Sequence, residues 1–484
     1  MILREMLKDI EVLHVEGSLD IHISDIHYDS RQVTPGSLFF CIEGFRADGH
    51  NFAAEAAEKG AAAVLLRKDV SLPRGITKVF VEAPRKAMGC VSAAFYGNPT
   101  ENMILFGVTG TNGKTTTTYM IKSILEQAGK KTGLIGTITN MIGSRLIPTE
   151  RTTPESVDLQ RLFWEMLQEG TDAAVMEVSS HSLELERVTG CNYEVGIFTN
   201  LTQDHLDFHG TLEKYRAAKA KLFEHSRLAV INVDDESGRI ILDGLECCAF
   251  TYGIYRPADI FARDIEIAAE GVTFNLHILG AKIAIKLGIP GIFSVYNALA
   301  AAASCYAAGI SLKDIQAGLE SIQGVPGRFE LLNTGTKYSV ILDYAHTPDG
   351  LENILKTARD LTNGRLVTLF GCGGDRDAAK RPLMGEVAGR YSDFCIVTSD
   401  NPRNEEPMEI IKAILPGLKK TRCPYQVIED RRQAIEFALK NARDNDVIIL
   451  AGKGHETYQL IKGQAYHFDE KKIVADILGR ENVR

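Results

Sequence analysis

A glycine-rich loop followed by Lys-Thr-Thr is the part of the sequence best suited to bind phosphate. It reads Gly110-Thr111-Asn112-Gly113-Lys114-Thr115-Thr116 and lies between a predicted strand over 103–108 and a predicted helix. The strict phosphate-loop pattern needs a glycine where Val108 stands, so that pattern fails by one position. The physics is unchanged, because glycine N–H groups and a helix N-terminus bind phosphate oxygens, Lys114 can reach the phosphates and Thr115 can bind Mg²⁺. We predict a nucleotide-binding loop, with a plain turn as the weaker alternative.

Two further clusters offer the hard oxygen ligands that magnesium prefers. Glu177 ends a predicted strand over 173–178, and the run Asn200–Asp207, which contains His205, follows a predicted strand over 195–199. Taken alone, Glu177 could cap a helix or pair with a lysine, and His205 could be a structural histidine. The spacing alone does not select a metal.

Four polar clusters in the last third of the chain each follow a short apolar strand. The strands are predicted at 340–342, 366–370, 394–397 and 447–450, and the clusters are Asp343–His346, Gly371–Asp377, Asp400–Arg403 and Gly452–Glu456. In open parallel sheets, ligands bind outside the carboxyl ends of the strands, so the four clusters together predict one composite site. For any one cluster the alternative is an ordinary strand-to-helix turn.

Strands that alternate with helices must position these clusters, which predicts an α/β fold with mostly parallel sheets. A chain of 484 residues is long enough for about three domains. Breakers at 97–99 and the run 327–330 suggest their bounds. We predict a smaller N-terminal α/β domain over 1–98, a central phosphate-loop domain over 99–331 and a C-terminal Rossmann-like domain over 332–484.

Composition narrows the functional classes. The net charge of −9 argues against a general nucleic-acid binder, which would need a basic face. The nine cysteines are scattered, with no Cys-x-x-Cys pair, which favours reduced thiols in a cytoplasm. Charges break the first apolar run, unlike a signal peptide, and the apolar stretch 298–310 is too short to span a bilayer. We expect a cytoplasmic monomer without membrane or nucleic-acid partners.

Taken together, the motifs resemble those of the Mur ligases, in order and over essentially the whole chain. The residues that carry the resemblance are Gly110–Thr116, Glu177–His181, Asn200–His209, Tyr296-Asn297, Gly327-Arg328 and Asp343–Pro348. The resemblance implies an ATP-dependent amide ligase. The γ-phosphate of ATP passes to a carboxylate, and an amine then displaces phosphate from the acyl phosphate.

Asp400-Asn401-Pro402-Arg403 resembles the signature of family members that add diaminopimelate, whereas lysine-adding relatives lack the arginine. The resemblance then implies UDP-N-acetylmuramoyl-L-alanyl-D-glutamate, meso-2,6-diaminopimelate and ATP as substrates, in peptidoglycan precursor synthesis. It also implies Mg²⁺, as two ions, for the cofactor.

The resemblance assigns roles to individual residues. The ATP set is Gly110, Thr111, Asn112, Gly113, Lys114, Thr115, Thr116, Asn297, Arg328 and Asp343. The metal set is Thr115, Glu177, His205 and Lys219, the lysine as a carbamate. The UDP-sugar-peptide set is Ser30, Phe45, Arg46, Ala47, Arg151, Thr152, Thr153, Ser179 and Arg187. The diaminopimelate set is Arg376, Asp400, Asn401, Pro402, Arg403, Gly452 and Glu456.

Two positions depart from the family pattern, and three alternatives stay open. Arg151 stands where many relatives have asparagine, and Leu185 where some have glutamine. The alternatives are a lysine-adding Mur ligase, a folylpolyglutamate-synthetase-like ligase and a regulatory ATPase that uses the loop as a switch. On sequence alone, a helical lysine such as Lys219 is nearly always solvated.

Overall fold

The computed structural model describes residues 1–44, 47–149 and 151–480. Its strands are β1 His14–Glu16, β2 Ile26–His27, β3 Leu38–Phe40, β4 Ala63–Leu66, β5 Thr77–Phe80, β6 Ile104–Thr109, β7 Thr132–Ile135, β8 Asn140–Ile142, β9 Arg145–Ile147, β10 Ala173–Glu177, β11 Tyr193–Phe198, β12 Ser226–Asn232, β13 Cys248–Gly253, β14 Ile260–Ala268, β15 Gly271–Ile278, β16 Ala281–Leu287, β17 Glu330–Leu332, β18 Ser339–Asp343, β19 Leu366–Phe370, β20 Phe394–Val397, β21 Tyr425–Val427, β22 Val447–Ala451, β23 Tyr458–Ile461 and β24 Gln464–His467.

The α-helices alternate with many of these strands. They are α1 Leu3–Met6, α2 Ala53–Glu58, α3 Pro84–Phe95, α4 Lys114–Gln127, α5 Ser156–Gln168, α6 Ser180–Glu184, α7 Leu206–His209, α8 Leu212–Ala220, α9 Glu236–Asp243, α10 Ile292–Ala307, α11 Leu312–Ser321, α12 Pro348–Leu361, α13 Lys380–Tyr391, α14 Pro407–Leu418, α15 Arg431–Lys440 and α16 Glu470–Ile477. Within the described residues, no helix is both long and apolar enough to cross a membrane.

Two compact units account for the internal contacts of the chain. Unit 1 comprises residues 1–109, 130–196 and 218–228, and unit 2 comprises residues 110–129, 197–217 and 229–484. The division into three domains, with its two boundaries, stays a prediction.

The N-terminal part of unit 1 is a five-stranded sheet in the order β1-β5-β4-β3-β2. Its pairs are parallel except for β1 with β5. Helices cover both faces: Met6 and Met88 join the core on one face, and Ala53 and Ala56 pack with Val64 on the other.

A second sheet in unit 1 has β10 between β6 and β7, both in parallel pairing. The strands β8 and β9 continue it as an antiparallel hairpin. Two glycines leave room for side chains that pack on this sheet, since a Cβ on Gly107 would lie 2.6 Å from the Tyr193 ring and one on Gly133 would meet Met166 of α5. Glu177, at the end of β10, is thereby held at the carboxyl edge of this sheet.

Unit 2 holds α4 against α10 and α11. A Cβ on Gly318 of α11 would lie 2.4 Å from the Cα of Ile124, so the helices pack almost backbone to backbone. Strands β13 to β16 follow one another in a sheet that is antiparallel after the β13–β14 pair. The sequence analysis assigned no element over 248–287, where the signal is the period-two alternation of half-exposed strands rather than an apolar run.

The C-terminal sheet has the order β17-β18-β22-β19-β20-β21 and is parallel apart from β17. Helices α12, α13 and α14 cover one face, and α15 and α16 cover the other. The α/β fold class with mostly parallel sheets is therefore confirmed. The four strands predicted in this region occur within one residue of their expected ends, because each is a buried apolar run with a polar cluster after it.

We expect Gly417→Ala to lower the melting temperature. Gly417 lies in α14, and a Cβ there would be 1.7 Å from the carbonyl oxygen of Pro382 in α13, so the two helices must separate. Overpacking of this kind costs about 1–3 kcal/mol. Thermal unfolding of Gly324→Ala is the control, since nothing lies within 4 Å of a Cβ at that position. Equal melting temperatures for the two variants would contradict the close α13–α14 packing.

Candidate active site

The loop at 110–113 approaches its neighbours too closely to carry side chains at its glycines. Gly110 has φ +151°, and a Cβ there would lie 1.8 Å from Thr199 Oγ1. Gly113 caps α4 with φ +86°, and a Cβ there would lie 2.5 Å from Asn297 Oδ1. Both positions therefore require glycine, and bare backbone lies at the N-terminus of a 14-residue helix.

Residues that follow β11 hold this loop in shape. Asn112 N–H donates to Asn200 Oδ1 at 2.9 Å, and Thr199 Oγ1 donates to the Asn112 carbonyl at 2.7 Å. The Lys114 ammonium donates to two carbonyl oxygens of the loop, at 2.8 and 3.0 Å. The Lys114 side chain thus lies against the loop with which it is predicted to bind phosphate.

Arg328 contacts the start of α4. Its Nη2 donates to Thr115 Oγ1 at 2.9 Å, and its guanidinium carbon lies 4.7 Å from the centre of the Tyr344 ring. Asp343 is buried nearby and accepts two backbone N–H groups at 2.6 Å each. Burial raises the pKa of Asp343 to about 6, against the opposite effect of the Arg328 charge. The structure therefore brings Asn297 and Arg328 to the loop and Asp343 beside Arg328.

A cluster of titratable groups surrounds Asp204, in the segment that contains His205. Its carboxylate lies 3.4 Å from His205 Nε2, 3.9 Å from His346 Nε2 and 3.7 Å from Lys380 Nζ. Burial raises the pKa of Asp204, but the neighbouring His205, His346 and Lys380 outweigh it and hold the pKa below its usual range. Burial, followed by the Lys380 charge, lowers the pKa of His346 to about 4.

In unit 1, the two predicted metal residues Glu177 and Lys219 are both 1% exposed. Glu177 accepts hydrogen bonds from the backbone N–H of Thr137 at 2.8 Å and from its hydroxyl at 3.0 Å. A lysine is rarely buried so completely without a compensating group, so Lys219 is not the solvated helical lysine that its local sequence suggests.

Glu155 pairs with three arginines, and no sequence motif marked it. It is 5% exposed, and three arginines pair with its carboxylate: Arg85 at 3.1 Å, Arg151 at 2.6 Å and Arg187 at 2.9 Å. Two of these arginines belong to the predicted UDP-sugar-peptide set. Arg151, which departs from the family pattern, is therefore engaged by a buried carboxylate. No motif marked Glu155, because its partners come from three separate segments.

Three short side chains of the UDP-sugar-peptide set gather around Glu177. Thr153 Oγ1 donates to the Glu177 carbonyl at 2.8 Å and lies 3.4 Å from Ser179 Oγ. Thr152 Oγ1 lies 3.1 Å from Thr137 Oγ1, which itself donates to Glu177. The structure thus brings Thr152, Thr153 and Ser179 together.

Ser30 and Ala47 of that set lie in the five-stranded part of unit 1. Ser30 is 6% exposed, and its hydroxyl donates to Glu55 at 3.0 Å. Among the described residues, its hydrogen bonds go to Glu55 and Lys59 rather than to the Thr152 group. The Ala47 carbonyl accepts from the Gly44 N–H, whereas Phe45 and Arg46 lie outside the described residues.

Lys453 is fully buried at the centre of the predicted diaminopimelate residues. Its ammonium donates to Asn401 Oδ1 at 2.9 Å, to the Tyr458 carbonyl at 2.8 Å and to Glu456 Oε2 at 3.2 Å, and lies 3.5 Å from Asp400 Oδ1. Asn401 Nδ2 in turn donates to Glu456 Oε2 at 2.8 Å. One cation therefore joins the loop after β20 to the loop after β22.

Asp400 keeps one acceptor without a hydrogen bond. Its Oδ1 is buried and has no hydrogen-bond partner among the described residues, although Lys453 lies nearby. Burial raises the pKa of the Asp400 carboxyl. The charges of Lys453 and Arg431 lower it by more, so the pKa lies below its usual value. The structure therefore holds a buried carboxylate whose charge is balanced by the Lys453 ammonium, 3.5 Å from its Oδ1. A Cβ on Gly452 would lie 2.7 Å from its Oδ2, so glycine leaves room for that carboxylate.

Arg403 has a left-handed backbone with φ +52°. Its N–H donates to the Leu460 carbonyl at 3.0 Å, and its Nη1 donates to the Gly374 carbonyl at 2.8 Å. Burial and then the Arg376 charge lower the pKa of Arg403, so the two cations act on each other across the Gly373 turn. Pro402 is buried beside Gly374. All seven predicted diaminopimelate residues thus lie on neighbouring loops of unit 2.

Several residues of this site escaped the sequence analysis. Lys453 lies inside the Gly452–Glu456 run, so its position was marked but its burial was not. Arg431 pairs with Glu470 at 2.8 Å, both fully buried, and donates to the Ala451 carbonyl at 2.8 Å, next to Gly452. These contacts join residues far apart in sequence, and no local pattern marks them.

Three family models match the chain. Residues 22–96 match "Mur ligase family, catalytic domain", residues 108–305 match "Mur ligase middle domain" and residues 327–454 match "Mur ligase, glutamate ligase domain".

Curated relatives align over nearly the full length. A UDP-N-acetylmuramoyl-L-alanyl-D-glutamate–2,6-diaminopimelate ligase from Caldanaerobacter subterraneus subsp. tengcongensis is 51% identical over 475 residues, which is 98% of both chains. A protein with the same name, numbered 1, from Clostridium acetobutylicum is 48% identical over 98% of this chain and 99% of its own.

Solved structures of similar fold include one of a UDP-N-acetylmuramoyl-L-alanyl-D-glutamate–2,6-diaminopimelate ligase, with a TM-score of 0.71, 32% identity and 99% coverage of both chains. The MurF ligase of Thermotoga maritima in complex with ADP has a TM-score of 0.64 and 20% identity, and covers 88% of this chain and 93% of its own. Folylpolyglutamate synthase of Mycobacterium tuberculosis has a TM-score of 0.65 at 18% identity, over 82% of this chain and 96% of its own. The last two likenesses show the fold alone.

We expect Lys453→Met to destabilise unit 2. The variant removes the cation and leaves Asp400 and Glu456 as buried carboxylates without it, which costs about 3–5 kcal/mol. Thermal unfolding should show a clear drop in melting temperature. Lys462→Met is the matched control, because Lys462 is exposed and pairs only at the surface with Glu406. A Lys453→Met protein as stable as Lys462→Met would refute the buried cation.

Proposed function

This chain belongs to the Mur ligase family, and from that membership we propose that it joins meso-2,6-diaminopimelate to the D-glutamate of UDP-N-acetylmuramoyl-L-alanyl-D-glutamate. The reaction uses ATP and belongs to peptidoglycan precursor synthesis. The observation that carries the proposal is that the Asp400 carboxylate and the Arg403 guanidinium lie on one set of loops, close enough for the Asp400 charge to act on the pKa of Arg403. A carboxylate acceptor beside a guanidinium complements a substrate end that bears both an ammonium and a carboxylate.

The chemistry proceeds in two steps. An oxygen of a D-glutamate carboxylate attacks the γ-phosphorus of ATP, and ADP leaves with the electrons of the broken P–O bond. The diaminopimelate amine then attacks the acyl carbon, phosphate leaves, and the amine loses a proton. ATP is needed because a carboxylate is a poor electrophile and phosphate a good leaving group.

The loop of unit 2 supports the first step by positioning and charge. The bare backbone at Gly110 and Gly113 lets amides approach the phosphates, and Lys114 supplies a cation that now rests on the loop carbonyls. Arg328 brings a second cation to Thr115. We assign Asn297 and Asp343 to the nucleoside side of ATP, in keeping with their places beside Gly113 and Arg328.

We keep the predicted magnesium residues as a proposal. Thr115 and His205 in unit 2, and Glu177 in unit 1, offer neutral or anionic donors, whereas an unmodified Lys219 offers none because an ammonium has no free electron pair. The near-complete burial of Lys219 favours a modified, anionic lysine over a solvated one. Bound Mg²⁺ would neutralise phosphate charge. The chain's own groups orient the substrates and hold the loop.

The UDP-sugar-peptide residues of unit 1 form the acceptor side of the proposal. Glu155 holds Arg151 and Arg187 in fixed positions, and Thr152, Thr153 and Ser179 present hydroxyls around Glu177. An array of guanidinium and hydroxyl groups suits a substrate rich in phosphate and carboxylate oxygens.

The alternatives fit the site less well. A lysine-adding enzyme would not need Arg403, since lysine lacks the second carboxylate. The folylpolyglutamate synthase structure is 18% identical to this chain, so it supports a shared fold and not a shared substrate. A regulatory ATPase would leave the polar clusters after the strands of the C-terminal sheet without a substrate to bind.

We expect Arg403→Ala to lower kcat/KM for diaminopimelate by roughly 10²- to 10³-fold, because a carboxylate loses its guanidinium partner. Any activity with lysine should fall far less. A coupled ADP-release assay with diaminopimelate and lysine side by side measures both. Arg432→Ala is the control, since Arg432 is half exposed and pairs at the surface with Asp476. Equal turnover of both amines by the unmutated enzyme would overturn the assignment.

Lys219→Ala should abolish ligase activity, and bicarbonate should not restore it. If Lys219 acts as a carbamate, CO₂ must add to its amine, and alanine has no amine to carry it. The same ADP-release assay measures the loss, with circular dichroism to establish folding. Lys221→Ala is the control, because Lys221 is partly exposed and pairs with Glu184. Full activity of Lys219→Ala would remove the proposed role.

A further inference from the structure

Two of the nine cysteines lie side by side in unit 2, away from the loops described above. The Sγ atoms of Cys395 and Cys423 are 3.7 Å apart. This separation is close to the 3–3.5 Å or so at which reacting atoms attack one another. Both thiols are free.

The two thiols differ in access. Cys395 is the second residue of β20 and is fully buried in the core beneath α13 and α14. Cys423 precedes β21 and is half-buried. The backbone fixes them together, because the Cys395 N–H donates to the Pro424 carbonyl at 3.0 Å. One thiol can therefore meet a reagent from solvent, and the other can be reached only through its neighbour.

The acidities of the two thiols match this arrangement. A hydrogen bond from Cys395 lowers the pKa of Cys423, and the same contact, with burial, raises the pKa of Cys395. The accessible sulfur is thus the one that more readily becomes a thiolate, which is the nucleophilic form.

Cys423 lines an open surface cavity of about 570 Å³. Arg390, Lys420 and Arg422 line it, with Glu386 and Asp393 as the acids. Both acids are already paired, Glu386 with two of these cations and Asp393 with Arg359. Among the described residues no carboxylate pairs with Arg422, which is exposed. The cavity is therefore of ligand size, and its unpaired charge is positive.

We propose that Cys395 and Cys423 form a reversible redox-active pair, and that the cavity admits a small disulfide bearing carboxylates as the oxidant. The Cys423 thiolate attacks one sulfur of the small disulfide R–S–S–R, a mixed disulfide forms, and RS⁻ leaves with the electron pair. Cys395 loses its proton to this RS⁻, and its sulfur attacks Cys423 Sγ. The second RS⁻ then leaves and takes the proton that Cys423 released. Two protein thiols are oxidised and one small disulfide is reduced to two thiols.

The test treats the purified full-length protein with oxidised glutathione, an anionic tripeptide disulfide, and in parallel with cystamine, a cationic disulfide. Thiol titration should fall from nine to seven, and peptide mapping should find Cys395 linked to Cys423. The anionic reagent should react about 3- to 10-fold faster at low salt, and Arg422→Ser should remove that preference. Excess dithiol should restore nine thiols.

Variants separate the two sulfurs. Cys395→Ser should retain a lasting mixed disulfide on Cys423, and Cys423→Ser should leave Cys395 reduced. Cys248→Ser is the matched control, because Cys248 is exposed, and its Cys395–Cys423 link should form as in the unmutated chain. Failure of the link to form in the unmutated protein would overturn the pair, whether or not the variants fold. Equal rates with both reagents, or a rate preference unchanged by Arg422→Ser, would overturn the role of the cavity.

Discussion

The buried ammonium of Lys453 is the interaction on which the C-terminal site depends. Nothing but protein surrounds it, so its charge must be balanced by Asp400, Asn401, Glu456 and the Tyr458 carbonyl. A buried charge is costly unless it is paired and hydrogen-bonded, and that cost forces the loops after β20 and β22 into one arrangement. The same balance keeps the Asp400 carboxylate ionised although it is buried.

A second constraint acts at the loop that we propose to bind phosphate, where the backbone must come close to the ligand. Gly110 and Gly113 have no room for a Cβ, because Thr199 and Asn297 already occupy that space. The loop is consequently held from outside by side chains that come from other strands and helices. Rigid support of this kind places amide groups before a ligand arrives, and such preorganisation is the main protein contribution to phosphoryl transfer.

In unit 1 a buried carboxylate positions several cations, whereas in unit 2 the buried Lys453 cation positions carboxylates. Glu155 gathers Arg85, Arg151 and Arg187, and so it sets where two predicted substrate-binding arginines lie. Arg151 stands where many relatives have asparagine, and here it pairs with Glu155. In unit 1 and in unit 2 alike, buried ion pairs thus place groups that are expected to touch ligands.

The sequence by itself determined the fold class, four of the six strands of the C-terminal sheet and the positions of most candidate residues. Short apolar runs that end in Gly, Asp or Asn are local signals, and the carboxyl ends of neighbouring parallel strands meet at one edge. Residues such as Asp343, Asp400 and Gly452 could therefore be found without coordinates. The resemblance of the loop and of Asp400–Arg403 to the Mur ligases supplied their roles. The antiparallel strands over 248–287 were missed because their half-exposed alternation is a weaker signal.

Only the tertiary structure decided which side chains are buried and which partners they have. Lys453, Glu155, Arg431 and the Cys395–Cys423 contact depend on segments that are distant in sequence, and burial and long-range pairing are properties of the packed chain, so no local pattern of residues could encode them.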